Sequence, residues 1–219
     1  ITCEICDRYL SSLAGLAPRS QGNRFCVVRQ LCEYLTRKDQ RNCIPEPIRP
    51  HSSQQAYRPY IFTSGQIEAL LAEAAKLPPP GSLRPHTYCT LLGLLYCTGI
   101  RIGEAFALNI EHFFPDEQRL YIAEGKFRKS RWIVLSTSTT NALKRYLTQR
   151  MSKKPDAPDR SLLINERCDR LSHSTIHVTY RKLLRQCGIM YVNGKLPRIH
   201  DLRHSFAVHR LLAWYRDGK

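Results

Sequence analysis

No run of about eighteen consecutive apolar residues occurs in the chain, which excludes an α-helical membrane span. Acidic residues are scarce: Asp and Glu total 18 against 34 Lys and Arg, a formal charge of +16. Such an excess calls for a polyanionic partner. Nucleic acid comes first, because Lys and Arg displace counterions from phosphates. An anionic membrane surface comes second, and the lack of a dominant basic amphipathic helix argues against it. Internal repeats and low-complexity tracts are absent too, and the charge is dispersed, +4 over the first 60 residues and +12 over the rest. Dispersed charge within folded segments suits a binding channel better than a disordered basic tail. What is present is a hydrophobic fraction of 42% in 219 residues, enough for a packed core. The chain opens on Ile1 rather than Met, so a processed or missing N-terminus is expected.

Nine cysteines form an odd count scattered among helix-like segments. That pattern predicts reduced thiols in a cytoplasmic setting rather than a disulfide framework. The stretch "CEIC" sets Cys3 and Cys6 at zinc-like spacing. Their available partners, Cys26 and Cys32, are six positions apart and fit a zinc site poorly, so packing is expected and no metal site.

Along the chain, residues 1–43 read as short helices. In "SQGNRFCVVRQLCEYLTRK" the spacing of Phe25, Val27, Val28, Leu31, Tyr34 and Leu35 predicts one buried helical face, leaving Arg24, Arg29, Arg37 and Lys38 for solvent or phosphate. Residues 44–60, with four prolines and a polar middle, read as a linker. A new unit opens at "FTSGQIEALLAEAAKL", where Thr63 and Gln66 make a capping box ahead of the stripe Ile67, Leu70, Leu71 and Ala74. "TYCTLLGLLYCTG" predicts a buried helix stopped at Gly99, and "RIGEAFAL" starts another at once. The period then changes to two: "RLYIAEG" and "RWIVLS" flank "KFRK" as a hairpin or small sheet. Helices resume at "STTNALKRYLTQR", at "SHSTIHVTYRKLLRQCG" with Ser172 as cap, and at "HDLRHSFAVHRLLAWYR". The fold class is mainly α with a small antiparallel β-sheet.

Three basic clusters stand out. In "CTGIRIGEAFAL", Arg101 follows a helix junction and Glu104 lies at i+3, where a carboxylate can fix the direction of a guanidinium. Its plain alternative is a surface ion pair. In "GKFRKSRWIVL", Lys126 falls in the turn between strands, within reach of a groove or simply solvated. In "HDLRH", His200 and Arg203 share a helical face while Leu202, Phe206 and Ala207 supply apolar contacts.

Each cluster alone is weak. In this order, "TGIRIGEAFAL", then "GKFRKSR", then "HDLRHSFA" resemble the catalytic domain of the tyrosine recombinases, the phage-integrase family. The resemblance covers residues 61–219, and residues 1–43 are similar to part of the family's helical, SAM-like core-binding domain. It implies site-specific DNA recombination and integration by strand cleavage and rejoining through a 3′-phosphotyrosyl intermediate, often in a mobile element. Arg101 and Arg203 match the family's phosphate-clamping arginines, suited to bidentate bonds that strengthen as transition-state charge grows. Lys126 matches the lysine that protonates the leaving 5′-oxygen, with Lys129 as fallback. His200 matches the acid–base or orienting histidine. Glu104 supports Arg101. No metal and no nucleotide cofactor is implied, because arginines stabilise charge and the phosphotyrosyl link stores the bond energy. The implied partners are double-stranded DNA and other recombinase protomers in a synaptic complex, with no membrane, in the cytoplasm at the nucleoid.

One departure is expected to matter. The family places a second His or Trp and the nucleophilic Tyr on later helices, and the sequence ends at Lys219 before either. Tyr215 shares the helix of Arg203 and reads, with Trp214, as packing. The catalytic domain therefore reads as truncated at its C-terminus, with no nucleophile in the chain and no cleavage by it. The alternative reading is a non-catalytic DNA-binding remnant or regulator. A type IB topoisomerase, which has related clamp chemistry, is disfavoured by the separate N-terminal helices and the "HDLRH" form.

Overall fold

A computed structural model describes residues 1–47, 58–123, 129–155, 160–191 and 193–218. The chain divides into two compact units, Ile1–Arg58 and Pro59–Lys219.

The first unit holds α1 (Cys3–Ser12) and α2 (Pro18–Thr36). Pro18 opens α2, where its fixed φ fits the first turn and its missing N–H costs nothing. Cys6, Leu13, Phe25 and Cys32 are buried. The stripe expected along α2 is buried only in part: Val27, Leu31 and Tyr34 are 66%, 49% and 52% exposed. Helix α1 covers one narrow seam of α2, centred on Phe25 and Cys32, and the flanks of the apolar stripe stay open. The cysteine expectation is also corrected. Cys3 and Cys43 form a disulfide with Cα atoms 5.4 Å apart, because the segment after α2 returns to the start of α1 and the Cys43 N–H donates to the Ile1 carbonyl at 2.9 Å. Cys6 and Cys32 meet Sγ to Sγ at 3.8 Å as thiols. Among the described residues no group of three or more Cys, His, Asp or Glu is arranged to hold a metal.

The second unit is built on α4 (Arg84–Thr98), which packs against α3 (Ser64–Ala75), α5 (Ile102–Ala107), α6 (Thr137–Lys153) and α8 (Asp201–Arg216). The Thr63–Gln66 capping box closes the start of α3 in both directions, at 3.2 and 3.0 Å. Helix α4 is apolar almost all round, with Tyr88, Leu91, Leu92, Leu94 and Leu95 buried, as a central helix must be. Its polar atoms are satisfied inside the fold: the Thr87 hydroxyl donates to the Ile164 carbonyl at 3.1 Å, and the Tyr88 hydroxyl donates to Thr179 Oγ1 at 3.0 Å. Helix α7 (His173–Gln186) packs on α3.

The sheet has three strands where two were expected. β1 (Phe113–Phe114), β2 (Arg119–Ile122) and β3 (Arg131–Val134) run antiparallel in the order β1-β2-β3. A two-residue strand has too little alternation to show in a sequence pattern. Leu120 and Ile122 point into the core, while Tyr121 and Trp132, paired across the strands, lie on the outer face. Helix α8 is tied to the start of the unit by a buried bond, the Phe62 N–H donating to Ser205 Oγ at 2.9 Å.

Candidate active site

The site grows from the junction between α4 and α5. Helix α4 ends at Gly99, whose φ of +63° is left-handed backbone that glycine adopts without steric cost. The chain then turns into α5 through Arg101, whose own N–H donates to Glu104 Oε2 at 2.8 Å. Glu104 thus caps the short helix through its side chain. The same carboxylate accepts from Arg101 Nη1 at 2.9 Å. The expected Arg101–Glu104 support is therefore a double contact with a buried acid, Glu104 being only 7% exposed at its side chain.

A third residue completes the cluster. Arg131, at the start of β3, grips Glu104 with both ends of its fork, Nη1 to Oε1 at 3.0 Å and Nη2 to Oε2 at 2.6 Å. Each carboxylate oxygen thus receives two donors. Burial pushes the Glu104 carboxyl up, but the hydrogen bonds from Arg131 and from the main chain and side chain of Arg101 outweigh it and set its pKa at about 2.

Arg203 enters from α8. Its Nη1 donates to the Gly99 carbonyl. Burial lowers the Arg203 guanidinium's pKa and the charge of Arg101 lowers it further; Glu104 opposes the shift and Arg131 adds to it. Guanidiniums stay protonated under such shifts. The shift therefore reports geometry: three positive charges share one negative one, and the surplus faces outward, where Arg101 and Arg131 are 39% and 36% exposed at their side chains.

His200 precedes α8 on the exposed side, its ring 5.1 Å from that of His204 and nearly perpendicular to it. Burial of the ring holds its pKa below the usual value, helped by His204, Arg203 and Arg198 and opposed by Asp201. Asp201 is fully buried, and its Oδ2 accepts from the Arg198 N–H at 2.8 Å, which fixes the first turn of α8.

The structure thus brings Arg101, Glu104 and Arg203 together and sets His200 three residues before Arg203. Lys126 lies outside the described residues; Lys129 is exposed just ahead of β3. Tyr215 and Trp214, expected to pack, are instead 84% and 48% exposed on α8, and Tyr215 stands near its C-terminal end. It lies twelve residues after Arg203, about 18 Å along the helix axis at 1.5 Å per residue.

Two participants escaped the sequence reading. Arg131 was hidden in a run of basic residues, although alternation places it on the same strand face as the half-buried Ile133, and an inward Arg asks for a carboxylate. Gly99 reads as a helix stop, yet its carbonyl also anchors Arg203.

The site is an arginine cluster around one buried carboxylate, set on a helical unit with a small antiparallel sheet, and its surplus positive charge has the chemistry to attract an anion. The Phage integrase family profile matches residues 61–213. A Sinorhizobium fredii integrase/recombinase, y4rB, is 33% identical over 98% of the chain and 70% of its own length. Tyrosine recombinase XerC of Neisseria gonorrhoeae is 27% identical over 92% of the chain and 63% of its own length. Among solved structures, XerH site-specific recombinase bound to its difH substrate aligns with a TM-score of 0.66 at 19% identity, covering 100% of this chain and 61% of that one. The Tn1549 transposon integrase in complex with transposon right end DNA aligns with a TM-score of 0.72 at 14% identity, covering 97% and 73%. The chain belongs to the phage integrase family, the tyrosine recombinases. It spans 61% to 73% of the length of these four proteins. No helix among the described residues is long and apolar enough to cross a membrane.

Proposed function

We propose that the chain binds duplex DNA and activates a backbone phosphate for site-specific recombination by strand cleavage and rejoining. The observation that carries the reading is the meeting of Arg101 and Arg203 beside Glu104, from segments 102 residues apart. In it, Arg101 and Arg203 hold the non-bridging oxygens of the scissile phosphate, where charge grows in the transition state. His200 orients or shuttles a proton, its depressed pKa leaving the free ring neutral near pH 7 and ready to take a proton as the phosphate arrives. Lys126, or Lys129 as fallback, protonates the leaving 5′-oxygen. Attack by a tyrosine gives the 3′-phosphotyrosyl link, and reversal of that step rejoins the strand.

Tyr215 is not that tyrosine. The rise along α8 carries it too far from a phosphate held by Arg203. Duplex binding and the phosphate clamp are the parts of this reading that the arginine cluster supports, and a non-catalytic regulator of this ancestry would share them. The 219-residue chain is expected to bind duplex DNA with an affinity that falls steeply between 50 and 200 mM salt, conditions set by the dependence on counterion release. Arg101→Ala with Arg203→Ala should reduce the log–log salt slope by about one for each phosphate no longer neutralised. On a nicked suicide duplex no adduct should form through Tyr215. An adduct that disappears on Tyr215→Phe would refute the assignment of that residue, and salt-independent binding would refute the clamp.

A further inference from the structure

The clamp reading leaves Arg131 without a task, yet this residue makes the fullest contact in the cluster. Its fork covers both oxygens of Glu104. Arg101 reaches that carboxylate through one side-chain nitrogen and its main-chain N–H. Among the described residues, no acceptor faces Nε or Nη2 of Arg101. The division of labour follows from the geometry of a fork on a carboxylate. A buried Glu facing a single Arg draws it into a two-bond pair, because two parallel charge-assisted bonds beat one. With Arg131 already lying across both oxygens, that arrangement is closed to Arg101. The charges agree: Glu104 with Arg101 alone sums to neutral, whereas Arg131 restores a positive charge beside Arg203. Position matters as well. Arg131 opens β3 two residues after Lys129, so its grip also holds the start of that strand beside Arg101.

Resting on the clamp reading above, we propose that Arg131 is a positioning residue: it occupies both oxygens of Glu104, so that Arg101 spends one side-chain nitrogen on the acid and keeps the rest of its fork for a phosphate oxygen.

Orthovanadate alone, a mimic of the phosphoryl group, tests this on the full chain, with binding read by vanadium NMR and the Arg101 side chain by its ¹⁵Nε signal. Wild type should bind the anion and show a moving Arg101 signal; Arg101→Ala and Arg203→Ala should lose binding. Arg131→Gln, close in length but uncharged, should bind about tenfold more weakly, the scale of one charge-assisted hydrogen bond, with an Arg101 signal that no longer responds. That loss of response is what a purely structural role for Arg131 would leave untouched. Should Arg131→Gln fail to fold, Arg131→Lys decides: a point charge cannot span two oxygens, so it too should bind several-fold more weakly. Equal binding by wild type, Arg101→Ala and Arg203→Ala would sink the clamp reading, whatever Arg131 does. Loss in those two, with wild-type binding and a responsive Arg101 in the Arg131 variant, would leave the clamp standing and overturn the positioning role.

Discussion

Gly99→Ala is the sharpest test of how the helix junction builds the site. Two costs meet at this position. The backbone φ of +63° charges any L side chain about 1–2 kcal/mol for the left-handed conformation. The added methyl would stand 2.3 Å from Cδ1 and 2.8 Å from Cε1 of Phe206 on α8, well inside van der Waals contact. Overpacking of that kind costs about 1–3 kcal/mol, with the half-buried ring free to give way in part. Together these amount to about 2–5 kcal/mol. At 2–4 °C per kcal/mol for a domain of this size, the unfolding midpoint of the second unit should fall by roughly 4–20 °C in a thermal melt. Phe206→Ala separates the two costs. In the double variant the clash is gone and the left-handed φ remains, so the cycle should return a favourable coupling of about 1 kcal/mol or more. The shift of α8 away from Gly99 should also loosen the Arg203 bond to the Gly99 carbonyl and weaken duplex binding. A melt of Gly99→Ala within about 1 °C of wild type would refute the argument, since neither cost could then be present. A shift that Phe206→Ala leaves unchanged would refute the contact and keep only the backbone part.

Glu104 titrates at about 2 in the folded chain against 4.5 for the free group, a depressed acid. Its stabilisation is therefore complete above pH 4.5 and drains away as pH falls toward 2, on the order of 3 kcal/mol at one unit per 1.36 kcal/mol. Urea melts from pH 5 to pH 2 should show that loss in wild type and a much flatter profile in Glu104→Gln; parallel profiles would contradict the assignment. Replacing both Cys3 and Cys43 by Ser opens a loop spanning 40 residues, which chain entropy values at about 4 kcal/mol. The first unit should then unfold at lower urea while the second unit's transition stays put, and coincident shifts in both would count against independent units.

Much of the second unit was legible because its signals are local. The Thr63 capping box, the apolar α4, the Gly99 stop and the switch to strand period are each settled within a few residues, and the structure carries them out as their chemistry requires. The first unit was less legible. Periodicity marks Val27, Leu31 and Tyr34 as apolar but cannot say how much partner surface two short helices bring to them. The Cys3–Cys43 bridge depends on a chain return that no spacing rule announces.

The site divides along the same line. Arg101 and Glu104 are legible because one helical turn joins them, and Arg203 because it shares a face with His200. What joins these pairs is tertiary. Glu104 is the hub, and a buried carboxylate among several arginines is stable only if every oxygen is spoken for; one partner too few leaves a costly unpaired charge. Arg101 and its own main chain supply half of the four donors, so the buried acid demands a second cation from elsewhere in the fold. The demand can be read from Glu104 once its burial is known, but the supplier cannot, because Arg131 is 27 residues away on a strand whose register decides which of its side chains face inward. Moving β3 by one residue against β2 would point Trp132 at Glu104 and turn Arg131 outward. The aromatic pairs Tyr121–Trp132 and Phe114–Trp132 on the outer face therefore help set the arginine cluster on the inner one, by holding the register that presents Arg131 to the acid.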